Sequence, residues 1–544
     1  MTTLDCIKWL WRASAGVRGR IMLSSLTGAL HVAASMTFVW VCKNLVDAAT
    51  AGSGSSLTGL IATMAACVLF QVFSSAVETR IMSRSDIVLK NRLRHEIFSG
   101  LMGSVWDGKD NFHSGDALNR IMDDVRVIAD AITRSVPALI IASVQFVAAF
   151  AFLFVLNPSL AWVIPGLMAI MLLLSRSYIR RMRKLTRDIR NTESSMQSLM
   201  QESLQHRVVI HSLEKVPYVT DNLSGQQSDL QEQVMSKADY SIFARSMIQV
   251  GFSAGYAAAF LWGVFGIRAG TATFGMMTAF LQLVGQIQRP IMNLSRQLPS
   301  LINSLTSAER LGEITSLPSE QQGDSVDLGE NVGVRFTDVC FTYSGSTDPV
   351  LDGFTHDFIP GSTTALVGET GAGKSTTMRL MLALLRPDKG NVELYNSYTT
   401  ATASPQTRCN IIFVPQGNTL MSGTIRENLL LGDPDASDSQ MLDALHLAAA
   451  DFVNELPDGL DTVCGEKGTG LSEGQAQRIA IARSLLRKGG VLLLDEPSAS
   501  LDPHTEEILL DRLTKHLSGR TMILVTHREK AAALCTNIVR IGNQ

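Results

Sequence analysis

The chain has 544 residues, 46% of them hydrophobic, a mean hydropathy of +0.16 and a net charge of −3. That length calls for two or three domains, the hydropathy is high for a soluble protein, and the near-balanced charge argues against a nucleic-acid binder. Seven scattered cysteines show no CxxC or paired-ligand spacing, which speaks against a zinc site or a disulfide framework and fits a reducing cytosolic face.

The N-terminus, MTTLDCIKWLWRASAGVRGR, has no small-residue cleavage site behind a short apolar core, so no removable signal peptide is expected. A membrane helix takes about 20 apolar residues. Charge-free windows lie at 21–42, between Asp47 and Glu78, across 135–175, and at 246–267 and 269–288. The window at 135–175 holds two spans, with Asn157-Pro158-Ser159 as the turn. Six spans are therefore expected, at 21–45, 57–79, 132–156, 159–178, 246–267 and 270–290. The segments 80–134 and 176–245 are rich in Arg and Lys, whereas the turns near 48–56, 157–159 and 268–274 are poor in both. The positive-inside rule then places the long segments and both termini in the cytoplasm. Apolar residues recur at helical spacing in Val88–Met102 and Leu185–Gln205, so the spans should continue as helices beyond the membrane.

In and just beyond the sixth span, Gln282, Gln286, Arg289, Asn293 and Gln297 recur every three or four residues and form one helical stripe. Polar groups at membrane depth face a cavity or another helix. The stripe is either a wall of the substrate path or a set of hydrogen bonds joining helices. His31 in the first span reads as a packing residue.

Residues 1–316 form the membrane domain, 317–333 read as a linker, and 334–544 as a domain of short strands and helices. Ser362–Leu385 reads strand, loop, helix, and Gly368, Gly373, Lys374 and Ser375 match the phosphate-binding pattern G-x-x-x-x-G-K-[ST]. Backbone N–H groups of such a loop and the helix start behind it converge on an anion. Lys374 can reach the β- and γ-phosphates, and the Ser375 hydroxyl can ligate Mg²⁺. Other apolar strands end in Gln416, in Asp495-Glu496 and in His527. Asp495 is placed to hold Mg²⁺, Glu496 to orient or deprotonate a water, Gln416 to reach the metal and water, and His527 to contact the γ-phosphate.

This set and order of motifs resembles the ATP-binding-cassette (ABC) proteins over nearly the whole chain. The loop at 368–376 looks like their Walker A, VLLLDE (491–496) their Walker B, Gln416 the Q-loop and Leu471–Gln475 (LSEGQ) the signature. Ser498–Asp502 looks like the D-loop, His527 the switch histidine, and Tyr343 the aromatic residue that stacks on adenine. The fused six-span half resembles the family's exporters, as do Asn111–Val125, Ser307–Leu311 and the segment before the signature, with Glu466 as its acidic residue.

The resemblance implies an all-α six-helix transmembrane domain followed by an α/β P-loop NTPase cassette with an α-helical signature subdomain. It implies ATP contacts from Tyr343, Gly368, Glu369, Thr370, Gly371, Ala372, Gly373, Lys374, Ser375 and Thr376. It implies further contacts in trans from Ser472, Gly474, Gln475 and Asp502 of a second chain, in a homodimer or heterodimer. Turns near 106–114 and 204–214 would dock on the cassettes and carry ATP-driven closure into alternating access. The implied function is an ATP-driven exporter of a lipid, peptide or hydrophobic small molecule, expected in a bacterial inner (cell) membrane with its cassette in the cytoplasm. The alternative is an ABC-fold membrane protein that uses ATP to gate rather than to pump, and ATP-dependent substrate movement in proteoliposomes separates the two.

Three departures stand out. Position 473 is Glu where the family usually has Gly, so its carboxylate must point away from the γ-phosphate. Only 17 residues follow His527, where the family usually adds another strand and helices. No cysteine-peptidase domain precedes the spans, so leader-peptide cleavage is not expected.

Overall fold

The computed structural model describes residues 2–51, 57–106, 114–156, 158, 163–321, 323–343, 345–369, 371–465, 470–516 and 519–542, with backbone alone over parts of some helices, notably 163–180 and 288–296. They divide into two compact units. One comprises Met1–Phe98 and Leu118–Thr315, the other Ser99–Ala117 and Ser316–Gln544.

The first unit is helical. It contains α1 (Thr3–Ala13), α2 (Arg18–Ala51), and most of α3 (Leu57–Met102). A helical run of α4 (Ser114–Asn119), α5 (Val125–Asp130) and α6 (Val136–Leu156) is interrupted by π-helical turns at Arg120–Asp124 and Ala131–Ser135. Then come α7 (Val163–Gln205), α8 (Arg207–Ser212), α9 (Val216–Arg268) and α10 (Phe274–Thr315). With 53 residues, α9 is about 80 Å long at ~1.5 Å per residue, far more than the ~30 Å hydrocarbon core. The helices thus run on past the membrane as the apolar spacing predicts. Four stretches among the described residues are long and apolar enough to cross a bilayer, Arg18–Thr50, Leu57–Met102, Gly115–Leu156 and Gln249–Arg268, and Phe274–Ile287 is a shorter apolar helix. Of the expected span at 159–178, residues 159–162 lie outside the described residues and the rest is helical backbone within α7. The expected turn at 157–159, residues 52–56 of the first turn and residues 107–113 of the first cytoplasmic turn also fall outside, apart from Pro158. The second cytoplasmic turn is the short helix α8 between α7 and α9.

The packing centre lies where α2, α6 and α10 meet. Val39, Ala149, Leu153, Phe280, Leu283 and Ile287 are buried together there, and the Trp262 ring of α9 meets Phe280 edge-on at 4.7 Å. Gln286 sits in the same junction. Its amide nitrogen donates to Ser35 Oγ at 2.7 Å, and its amide oxygen accepts from Gln145 Nε2 at 2.6 Å. Further along α10, Gln297 accepts from the Ser135 hydroxyl at 2.7 Å. At Gln286 and Gln297 the stripe joins helices, because an amide in a low-dielectric bundle must find partners. The side chains of Arg289 and Asn293 lie outside the described residues. His31 pairs with Ser74 at 3.0 Å and ties α2 to α3. The two exporter-like segments of this unit also come together: Ser307 and Arg310 reach Asp124 at 2.8 and 3.2 Å, and Arg120 reaches Glu313 at 2.7 Å.

The second unit holds two sheets. The antiparallel one has the order β2-β1-β4-β5, from β1 (Gly333–Phe341), β2 (Leu351–Phe358), β4 (Lys389–Tyr395) and β5 (Thr400–Thr402). The parallel one has the order β11-β3-β10-β9-β6, from β3 (Thr363–Val367), β6 (Ile411–Val414), β9 (Val491–Asp495), β10 (Thr521–Val525) and β11 (Asn537–Arg540). All five residues of β9 and of β10 are buried, as continuous apolar runs in a parallel sheet require. Helix α11 (Lys374–Met381) follows β3, and a two-strand ribbon of β7 (Gly423–Thr424) and β8 (Val463–Cys464) joins α12 (Ile425–Leu430), α13 (Asp438–Leu447) and α14 (Glu473–Leu485) in a helical layer. The residues after His527 form α16 (Glu529–Ala533), which follows α15 (Pro503–His516), and then β11, paired with β3. The short C-terminal stretch therefore does supply a strand.

The domain boundaries differ from the sequence reading in two places. Ser99–Ala117 groups with the cassette, and so does the linker at 317–333. Glu320 N–H donates to Gly103 O at 2.9 Å and Val105 N–H to Pro318 O at 2.8 Å. Arg408 grips Glu320 with two bonds of 2.7 and 2.9 Å, and Asn410 accepts from Leu328 N–H at 2.6 Å. The linker is a strap along the cassette, because its backbone groups are satisfied by it.

Replacing Gln286 by Leu should cost the membrane unit about 1 kcal/mol, the scale of interhelical hydrogen bonds in membranes. Thermal unfolding of the detergent-purified chain and variant measures it, and an identical midpoint would show that the junction carries no load.

Candidate nucleotide site

The parallel register sets the site. Val367, Val414, Asp495 and Val525 end neighbouring strands, aligned through Val414↔Leu494, Asp495↔Val525 and Val525↔Leu366. Each motif begins at the carboxyl end of one of these strands, where open α/β sheets bind ligands.

The phosphate loop turns from β3 into α11. Gly368 has no alternative there, since an added Cβ would lie 2.1 Å from the Ile541 carbonyl oxygen. Lys374 is buried, and its ammonium donates to the carbonyls of Gly368 at 2.8 Å and Glu369 at 2.9 Å, so the charge is held inside the loop. Ser375 donates its hydroxyl to Asp495 across 3.4 Å, and the Tyr343 and Thr376 hydroxyls share a hydrogen bond of 3.0 Å. Thr370 lies outside the described residues, as does Glu466 before the signature.

At the end of β9, burial and then the adjacent Glu496 charge push the Asp495 carboxyl above the usual aspartate range. Glu496 is held from three sides. Gln416 Nε2 donates to one carboxylate oxygen at 2.9 Å, and His527 Nε2 lies 3.1 Å from the other. Its own N–H donates to Val525 O at 3.1 Å. Its φ of +46° is the left-handed region, unusual for a residue with a Cβ. Gln416, the Asp495-Glu496 pair and His527, which come from separate strand ends, thus meet with Ser375 in one cluster of oxygens and nitrogens.

The signature opens α14. Ser472 is its N-cap, accepting from Gln475 N–H at 3.2 Å, while Gln475 Oε1 accepts from Ser472 N–H at 2.9 Å. Gly474 packs on the D-loop, where a Cβ would come 2.7 Å from Ser500 O. Glu473 is exposed in the first helical turn, where the helix dipole favours a carboxylate. Asp502 accepts from the N–H groups of His504 and Thr505 at 3.1 and 3.0 Å and from the Thr505 hydroxyl at 2.6 Å. Those Thr505 bonds hold its carboxyl below the usual range.

Two contacts were not visible in the sequence. Gln477, fully buried on α14, donates its amide to the Glu496 carbonyl at 3.1 Å. Glu506, buried on α15, accepts from Ser498 at 2.6 Å and pairs with Arg528, so the D-loop and the residue after His527 share one carboxylate. The only sequence hint of Gln477 is a polar residue on the apolar face of a helix.

A long-helix membrane unit fused to a cassette with this strand-end cluster defines an ATP-hydrolysing membrane transporter. The family model for the ABC transporter transmembrane region matches residues 21–291, and that for the ABC transporter matches 351–499. The chain is 29% identical over 482 residues to the leukotoxin translocation ATP-binding protein LktB of Bibersteinia trehalosi, covering 87% of this chain and 67% of that one. The same figures hold for LktB of Mannheimia haemolytica. In fold it matches a bacterial Atm1-family ABC exporter solved with ATP bound, with a TM-score of 0.78 and 23% identity, over 97% of this chain and 94% of that one. The chain belongs to the ABC transporters and is an exporter-type half-transporter whose cassette hydrolyses ATP to drive transport.

Replacing Gln477 by Leu keeps the volume but removes one of the two donors to the Glu496 carbonyl, leaving the Ala499 N–H at 3.2 Å. It should lower the ATPase kcat roughly tenfold, the effect of about 1.4 kcal/mol, with the KM for ATP little changed. Equal losses in both constants would place Gln477 in general packing instead.

Proposed function

We propose that this chain works as a dimer, with itself or with a second half-transporter, and that each ATP lies between the phosphate loop of one chain and the signature of the other. The observation that carries this reading is Glu496, gripped by Gln416 and His527 beside Asp495 and Ser375. In this reading Tyr343 stacks on adenine, and the loop at 368–376, with Lys374, takes the phosphates. Glu496 orients and deprotonates the attacking water, Gln416 steadies it, and His527 follows the γ-phosphate. Ser472, Gly474, Gln475 and Asp502 of the second chain complete the site.

Ser375, Gln416 and Asp495 offer hard oxygen donors that suit Mg²⁺. Held there, the ion would supply positive charge to offset that of the phosphates. Closure of the dimer on ATP would switch the long helices from inward-open to outward-open, and hydrolysis would reopen it. Gln282, Gln286, Arg289 and Asn293 are the candidates for the wall of the path, with Gln286 held in place by Ser35 and Gln145. The substrate class is a lipid, a peptide or a hydrophobic small molecule, and the LktB relatives, named for leukotoxin translocation, favour the peptide end of that range. A bacterial inner membrane with the cassette in the cytoplasm suits the loop charges.

ATPase activity of the chain alone in lipid nanodiscs, beside Glu496→Gln, tests this. Robust hydrolysis lost by at least about a hundredfold in the variant is expected, as for removal of a group acting in the transition state. Full activity in the variant would remove Glu496 from the chemistry. The raised Asp495 pKa adds a pH dependence. A cation binds the ionised carboxylate, and this carboxyl keeps its proton to a higher pH than an ordinary aspartate near 3.8. The Mg²⁺ concentration for half-maximal ATPase should therefore climb as pH falls from neutral towards that raised value. A pH-independent requirement would show that Asp495 does not hold the ion.

A further inference from the structure

We propose that Arg379 links the base-stacking residue Tyr343 to Trp106, so that Trp106, just beyond α3, registers whether an adenine base is bound. The proposal rests on the reading of Tyr343 as the adenine platform. Arg379 lies on α11, a turn beyond Ser375. One guanidinium nitrogen donates to the Tyr343 hydroxyl at 3.1 Å, and that hydroxyl also shares a bond of 3.0 Å with Thr376. The flat face of the same guanidinium lies over the Trp106 ring, 5.0 Å from its centroid. A planar cation with in-plane donors can serve both partners at once, which a lysine ammonium cannot.

Trp106 is well anchored. Its neighbour Val105 donates to Pro318 O at 2.8 Å, Ser104 bridges Ser319, and Gly103 accepts from Glu320 N–H at 2.9 Å. The indole borders a cavity of about 230 Å³ that Phe341 and Leu385 also line. Phe341 in turn meets the Tyr343 ring edge-on at 5.0 Å and 87°. Tyr343 and Trp106 therefore pack against the same hydrophobic cluster as well as the same guanidinium. A base stacked on Tyr343 that shifts its ring moves the hydroxyl, and with it the guanidinium over the indole. The phosphate loop meets Tyr343 at its hydroxyl, through Thr376, whereas a stacked base meets the ring itself, so the two inputs differ in size at the guanidinium.

The test uses the full chain carrying Glu496→Gln in nanodiscs. The emission difference between it and the same chain with Trp106→Phe isolates Trp106 from the other tryptophans. MgATP should change that signal, whereas magnesium tripolyphosphate, which has no base and acts only through the loop at Thr376, should change it less. Arg379→Gln loses the donor to the Tyr343 hydroxyl and the cation over the indole, so the Trp106 response should disappear while ATP binds within about threefold of the parent, and that affinity certifies that the variant is folded. A full Trp106 response in Arg379→Gln, or an equal response to tripolyphosphate, would overturn the link. The underlying reading has its own control: Tyr343→Ala should weaken ATP binding about tenfold, the scale of base–aromatic stacking. Unchanged affinity there would overturn the adenine platform and the link with it. Weakened affinity there, together with a surviving response in Arg379→Gln, overturns the link alone.

Discussion

The register of one parallel sheet governs this cassette. Four strands end level with one another, and each delivers its chemistry within a residue or two of its last hydrogen bond: Gly368 after β3, Gln416 after β6, Asp495 and Glu496 at β9, His527 after β10. Side chains alternate along a strand, so a slip of one residue would turn each of them to the wrong face. The fully buried β9 and β10 resist such a slip, because their burial on both faces fixes how deeply they sit. The C-terminal strand belongs to the same constraint. β11 pairs with β3 in register, and its neighbour Ile541 closes against Gly368.

Within that frame Glu496 pays for its position. A left-handed backbone at a glutamate costs on the order of 1–3 kcal/mol and persists only where the surroundings over-determine it. Here Val525 takes its N–H, Gln477 its carbonyl, and Gln416 and His527 its carboxylate. Because Gln477 is on the signature helix, the geometry of the carboxylate depends on where that helix lies. The helix in turn is seated against the D-loop at Gly474. The strand-end groups were legible in the sequence because an apolar run followed by a polar residue is a local pattern. Gln477, Glu506 and Trp106 were not, since nothing within a few residues of any of them names its partner.

The same limit explains the membrane unit. Charge-free windows revealed helices and their approximate ends, and the spacing of Gln282, Gln286 and Gln297 revealed a common face. Whether that face meets water or another helix depends on neighbours far away in the chain. Ser35 and Gln145 are the helix partners of Gln286, and Ser135 is that of Gln297. The linker is a comparable case. Residues 317–333 lack a strong pattern and read as a tether, yet Arg408 and Asn410 give their polar groups fixed partners. A segment without periodicity can still be ordered when its hydrogen bonds go to side chains.

Glu473 shows how a departure from the family pattern can be accommodated. The start of a helix favours one anion, and here a carboxylate already stands in the first turn. A phosphate approaching the same N-terminus would feel that charge as repulsion. Two features limit the effect. Glu473 is exposed, so water and salt screen it. The capping box engages Ser472 Oγ as an acceptor only, through Gln475 N–H, which leaves the hydroxyl proton available to donate. Gly474, whose position against Ser500 tolerates no Cβ, preserves the close backbone approach that the second glycine of the motif provides. The departure therefore falls where charge can be screened, and the glycine retained is the one sterics demand.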